Sequence, residues 1–379
     1  MAPNADANSH TPLDGVTVLD ASRVLSGPFC TMQLGDLGAE VVKIERPDGG
    51  DQTRGWTPPT YGDSEASAYY LSINRNKRSV TLNLASERGR ELFRELAVEA
   101  DVLVENFRVG KMAEWGLGYE ALREENPGLV YCSISGYGQD GPYSDRPAYD
   151  LLMQAEGGMM SITGEPGRPP VRVGVAIADI VAGMYATQSI LAALLDRELS
   201  GGGGEYIDVS LFDSIVALQT YIASAYFATG DPPGRMGSGH PNIVPYRAFP
   251  TADGYVVVAC ASENLWPKFC EALDRPDLVD EDRFATGLRP PAGHSEGDAP
   301  LADPPGGRRC RDARVADELR GCRHGPRPAS ADAGRTRRGG SRGTGLLRTG
   351  ARIPPRGRCA VGSQISNKPL CASPETRWE

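Results

Sequence analysis

Short runs rich in β-branched residues alternate with helical patterns along most of this chain, and that order is the one a parallel α/β sheet requires. GVTVLD (15–20) and EVVKIE (40–45) flank a helix-like segment near Cys30 to Gly38. SVTLNL (79–84) precedes Ser86, read as an N-cap, and the helix ELFRELAVEA, whose Leu92, Phe93 and Leu96 share a face. DVLVE (101–105) and LVYCSI (129–134) follow, with helical AEWGLGYEALREE between them. GGGG at 201–204 reads as a turn into the strand EYIDV. The expected fold is a doubly wound parallel α/β sheet.

The pattern stops after Thr286. The last 93 residues hold ten Leu, Ile and Val, one Trp, and no Phe, Tyr or Met, too little to build a core. They carry 17 Arg and one Lys against nine acidic residues, a net +9, which leaves −18 on the first 286. No aromatics interleave with the arginines, so a nucleic-acid partner is not expected. The 287–379 tail reads as low-complexity and disordered, and the abrupt change inside RFAT fits a reading-frame shift. Sequencing the gene around codon 285 tests that expectation.

The eight cysteines include no C-x-x-C pair and the four histidines are scattered, so neither a zinc site nor a disulfide framework is expected. The opening MAPNADANSHTPLDG has no basic-then-apolar pattern, and the apolar run 181–195 is broken by Gln188. A cytoplasmic protein with no membrane partner is the expectation.

Ligands of open parallel sheets sit beyond the carboxyl ends of the strands. Here those ends carry SRVLSGP with Val24, Leu25 and Ser26, then Arg46, then Asn106, Phe107 and Arg108, then SGYGQDGPYSDRPAYD. These are polar, basic and glycine-containing, which suits a phosphate-bearing ligand with an aromatic base. There is no G-x-G-x-x-G after the first strand and no G-x-x-x-x-G-K-[ST], which counts against a nicotinamide or nucleoside-triphosphate enzyme. Asp179 opens the apolar stretch IVAGMYATQSILAALL. It reads both as a helix N-cap and as a nucleophile kept ionised by the helix dipole. In GRMGSGHPNIVPYRAF, Gly237 and Gly239 are placed to turn backbone N–H groups toward an oxyanion, with a flexible loop as the alternative.

Together PLDGVTVLD, SGPFCTMQLGDLGAEVVKIERPDGGD, NRNKRSVTLNL, VENF, SGYGQDGPY, YDLLMQAEGGMMSITGE and YIDVSLFDS resemble the family III CoA-transferases (CaiB/BaiF family) over about residues 12–285. That resemblance implies a large Rossmann-like domain over residues 1–215, a smaller α+β domain over 216–286 and an interlocked-ring homodimer. It implies an acyl-CoA:carboxylate CoA-transferase that uses coenzyme A thioesters as substrate, with no permanently bound cofactor. It implies that Asp179 is the nucleophile, passing through a mixed anhydride and an aspartyl-CoA thioester. It places Val24, Leu25, Ser26, Arg46, the segment from Leu82 to Ala85, Asn106, Phe107 and Arg108 against CoA. Tyr149 and Asp150 would line the acyl site, and the loop of Gly237 and Gly239 would close over the aspartate.

Two positions depart from the family pattern: Glu114 stands where many members are basic, and Ala85 where some have Lys. Tyr149 stands where the family's 2-methylacyl-CoA racemases need a His, so CoA transfer is expected over racemisation. The resemblance also implies that the chain returns to the large domain after the small one, and the composition of 287–379 does not fit such a return, so the alternative expectation is a truncated, inactive remnant that at most binds CoA.

Overall fold

The computed structural model describes residues 11–281. Six parallel strands, β1 (Thr17–Asp20), β2 (Glu40–Glu45), β3 (Lys77–Thr81), β4 (Val102–Glu105), β5 (Val130–Ser135) and β6 (Tyr206–Ser210), form one sheet in the order β3-β2-β1-β4-β5-β6. Val18 pairs with Val41 on one side and Val102 on the other, so β1 lies at the centre. The crossovers carry α1 (Ser26–Asp36), α2 (Ala68–Ile73), α3 (Glu87–Val98), α4 (Lys111–Glu114), α5 (Tyr119–Arg123), α6 (Asp150–Glu156), α7 (Met159–Ile162) and α8 (Ile177–Ser200). After β6 come α9 (Leu211–Leu218), α10 (Thr220–Thr229), an antiparallel hairpin of β7 (Tyr246–Pro250) and β8 (Tyr255–Ala259), and α11 (Trp266–Ala272).

The sheet is covered on both faces because its central strands are largely apolar and send alternate side chains to opposite sides. Val18, Val102, Val104, Val130 and Cys132 pack with Cys30 and Leu34 of α1 and with Ala178, Ala182, Ala186 and Ile190 of α8. Leu19, Leu103 and Tyr131 pack the other way, on Phe93 and Ala97 of α3 and on Met112, Leu117 and Leu122. Met153 and Met159 belong to the first of these cores. Alone among the single described helices, α8 is long and apolar enough to cross a membrane. It packs one face into that core. Cys260, Trp266, Cys270 and Leu278 make a separate small core beyond β8. The four described cysteines, Cys30, Cys132, Cys260 and Cys270, are all buried and reduced.

Two local expectations need correction. The third strand runs over Lys77–Thr81, two residues earlier than SVTLNL, because it is an edge strand registered by pairing of Lys77 with Val41 and its residues are mostly exposed. AEWGLGYEALREE is two short helices, since Gly116 adopts φ +70°, outside the right-handed region. Ser86 does cap α3, accepting the Gly89 N–H at 3.1 Å. The end of the small domain past residue 281 and the whole 287–379 stretch lie outside the described residues.

Candidate active site

The strand order reverses between β1 and β4, so the loops leaving these two strands diverge and open a crevice at the carboxyl edge of the sheet. The β1 loop is anchored by a buried ionic network. Asp20 is fully buried and accepts from Thr31 Oγ1 at 2.8 Å, from the Ser22 N–H at 3.0 Å and from Lys77 Nζ at 3.0 Å. Burial alone would raise its pKa, but Lys43 and Lys77 hold the carboxyl well below the usual range. Lys43 Nζ donates to the Ser22 carbonyl at 2.8 Å and lies 3.2 Å from Asp51. Next to it, Glu45 accepts from Arg54 Nε and Nη2, at 2.7 and 2.6 Å, together with Ser79, Tyr70 and the Asp51 N–H.

On this base the loop adopts a backbone that its sequence does not favour. Val24 has φ +69°, a conformation that costs a β-branched residue about 1–3 kcal/mol. It is held there by hydrogen bonds. Asn106, from the loop after β4, accepts the Arg23 N–H at 2.8 Å and donates to the Arg23 carbonyl at 2.7 Å, while Asp51 accepts the Val24 N–H at 3.3 Å.

The crevice has a volume of about 980 Å³ and brings together seven of the expected residues: Val24, Ser26, Asn106, Phe107, Arg108, Tyr149 and Asp179. It also presents three cations that no motif in the sequence singles out, Arg23, Lys111 and Arg146. The Arg23 guanidinium lies 4.8 Å from the Phe107 ring centroid, Arg146 stacks on Tyr143 at 3.8 Å, and Lys111 pairs with Glu114 at 2.9 Å. Arg23 sits inside SRVLSGP and Arg146 inside the loop after β5, two stretches whose position at strand ends already marked them. Glu114, which stands where many family members are basic, pairs with Lys111, whose ammonium lies over the Trp115 ring.

Other expected residues lie outside the crevice lining. Leu25 is buried at the start of α1, and Leu82 extends the β2–β3 ladder through its N–H to the Glu45 carbonyl. Ala85 is exposed and its carbonyl accepts from Arg90. Arg46 is exposed beyond β2, with its Nε on the Gly50 carbonyl.

Asp179 occupies the first turn of α8, but it is not the N-cap. Ala176 is, and the third helical position belongs to Asp179. The capping carboxylate comes from Asp150 at the start of α6, whose Oδ1 accepts the Ala178 N–H at 2.9 Å. Asp150 thus caps α8 from a neighbouring element. Tyr149, next to it, is 71% exposed at the crevice wall.

Asp179 is partly buried, and its pKa rises to about 6 through burial and the neighbouring Asp150 charge, against the hydroxyl and backbone of Ser26. Such a carboxylate is ionised at neutral pH and more basic than a solvated one. Gly183, one turn on in α8, permits the approach of Ser26, since a Cβ there would lie 2.6 Å from the Ser26 carbonyl oxygen.

The oxyanion role expected of Gly237 and Gly239 does not follow from this arrangement. The Gly237 N–H donates to the Gly164 carbonyl at 2.9 Å and the Gly239 N–H to the Met236 carbonyl at 2.9 Å. Gly237 has φ +60° and packs against the Glu165 carboxylate, so the loop is docked on the segment before α8 and neither glycine lines the crevice. No cluster of His, Cys, Asp and Glu suited to a metal occurs among the described residues.

The sequence pattern of "CoA-transferase family III" matches residues 13–298. The chain is 46% identical over 284 residues to succinyl-CoA:glutarate CoA-transferase of Homo sapiens, covering 75% of this chain and 64% of that protein. It thus spans less than two thirds of the human relative. Succinate–glutarate CoA-transferase of Agrobacterium fabrum is 43% identical over 283 residues, 74% of this chain and 70% of its own length. A solved CAIB/BAIF family protein from Brucella suis superposes with a TM-score of 0.66 at 45% identity, over 73% of this chain and 74% of that one.

Proposed function

The chain belongs to CoA-transferase family III, and we propose that it moves coenzyme A from a dicarboxylic acyl-CoA to a free dicarboxylate through covalent intermediates on Asp179. The observation that carries this reading is the partly buried Asp179 carboxylate in the first turn of α8, facing a crevice that also presents Arg23, Phe107 and Arg108. The dicarboxylate class is taken from the relatives, whose names pair succinate or succinyl-CoA with glutarate.

In this reading an Asp179 oxygen attacks the thioester carbonyl, the C–S bond breaks, and a mixed anhydride and CoA thiolate result. The thiolate attacks the aspartyl carbonyl and releases the donor as a free carboxylate, leaving an aspartyl-CoA thioester. The acceptor carboxylate attacks that thioester, expels the thiolate and forms a second anhydride. Attack by the thiolate on the acceptor's carbonyl then yields the new acyl-CoA and restores Asp179. Arg23 and Arg108 would take the phosphates of CoA, with Phe107 beside its base. Each tetrahedral intermediate needs a donor close to Asp179, and Ser26 at the N-terminus of α1 is the group best placed to supply it. As a homodimer, which the family resemblance implies, the protein would cover apolar surface such as Phe227 and Val257.

Transfer of CoA from succinyl-CoA to glutarate, followed by chromatography of the thioesters, tests the reading. Asp179→Ala should abolish transfer, and transfer at an undiminished rate would refute the assignment.

A further inference from the structure

Gln154 is completely buried in α6, one position after the core residue Met153, where an apolar side chain would serve packing better than an amide. Its amide is engaged at both ends. Nε2 donates to Asp150 Oδ2 at 2.7 Å, and Oε1 accepts the Val173 N–H at 2.8 Å. The other oxygen of Asp150 accepts the Ala178 N–H at 2.9 Å. The two partners fix the amide's orientation, because Val173 offers a donor and the carboxylate an acceptor. A single chain of hydrogen bonds thus runs from Val173 through Gln154 and Asp150 to Ala178, the residue immediately before Asp179. It pins both ends of the irregular segment that enters α8.

We propose that Gln154 is a positioning residue for the transfer reaction, acting through Asp150 to fix the first turn of α8 and so the direction of the Asp179 carboxylate. The inference rests on the reading of Asp179 as the nucleophile. A near-attack geometry is sensitive to displacements of about 1 Å, which can change a rate about 100-fold. A turn held by one buried amide is a place where such displacements arise.

The polarity of the chain supplies the test. Asp150→Asn sets an amide NH₂ against the NH₂ of Gln154, and Gln154→Glu sets carboxylate against carboxylate. The double variant D150N/Q154E reverses the pair and restores every bond. The amide placed at position 150 then donates to the carboxylate placed at position 154, which also accepts the Val173 N–H. Transfer from succinyl-CoA to glutarate is measured for all four chains. Each single variant should lose about 10–100-fold in kcat with KM for succinyl-CoA within about threefold, and the double should recover at least about tenfold of that loss.

Singles within about threefold of wild type in kcat overturn the proposal. So does a double variant no faster than Asp150→Asn, which would assign the effect to the charge at 150 itself. Gln154→Met, similar in shape and unable to make either bond, covers the case in which the charge variants fail to fold. It should lose kcat to a similar extent with its melting transition retained, and unchanged kcat overturns the proposal. A wild-type chain that transfers CoA between no pair of dicarboxylates removes the underlying reading instead, and with it the role of Gln154.

Discussion

Asn106 grips the main chain of Arg23 with both ends of its amide, accepting the N–H at 2.8 Å and donating to the carbonyl at 2.7 Å. This contact ties the loop after β4 to the loop after β1 across the reversal point of the sheet and holds Val24 at φ +69°. Asn106→Ala should free Val24 to relax, raising KM for the CoA thioester by about tenfold and costing about 1–3 kcal/mol of stability. Steady-state kinetics and chemical denaturation check both numbers. An unchanged KM would mean that the loop holds its shape without the amide.

The acidity of Asp179 has a consequence for activity and one for stability. Its pKa is raised to about 6 by burial and by Asp150, and only the ionised form is nucleophilic. kcat/KM should therefore be flat above about pH 7 and fall roughly tenfold per pH unit below about 6. In the unfolded chain the same group titrates at the ordinary carboxylate value, so the folded state holds the extra proton and stability declines as pH rises from about 4 to 6. Asp179→Asn removes that penalty. It should stabilise the protein by about 1–3 kcal/mol at pH 7.5, with the gain shrinking toward pH 4. A gain independent of pH would contradict the assigned cause.

Gly183 sets the distance between α8 and the N-terminus of α1. A methyl group there would lie 2.6 Å from the Ser26 carbonyl oxygen and 3.1 Å from the Phe29 ring. Gly183→Ala should push Ser26 away from Asp179, lowering kcat about 10–100-fold and stability by about 1–3 kcal/mol. Wild-type kcat in a folded Gly183→Ala chain would show that Ser26 contributes nothing to the reaction.

Asp20 is the hub of the network under the β1 loop, with Lys77 at 3.0 Å and Lys43 at 3.8 Å. Asp20→Ala leaves these two lysines buried, at 2% and 1% exposure, without their shared counter-charge. The expected loss is about 3–5 kcal/mol, measurable by urea denaturation, and a loss under about 1 kcal/mol would mean that Asp51 suffices alone.

The central strands were legible in the sequence because burial on both faces writes them as continuous apolar runs, as in DVLVE and LVYCSI. β3 was misplaced for the complementary reason: as an exposed edge strand its register is set by pairing with β2 and leaves little mark on its own composition. Asp179 stands out in the sequence at the head of an apolar helix, but its place in the first turn does not, because the cap is supplied by Asp150 from another element. Arg23 does not stand out in the sequence, since its contact with Phe107 is made only by the strand order. The glycines of the 237–239 stretch read from the sequence as a loop with free N–H groups, whereas the carbonyls that occupy those N–H groups come from the fold and from the loop itself.

As the nucleophile, Asp179 must become covalently activated during turnover. Incubating the purified chain with succinyl-CoA and hydroxylamine, then mapping peptides by mass spectrometry, tests it most directly. A hydroxamate on Asp179, absent without succinyl-CoA and absent from Asp179→Ala, is the predicted result. Transfer of CoA to glutarate with no hydroxamate on Asp179 would place the nucleophile elsewhere.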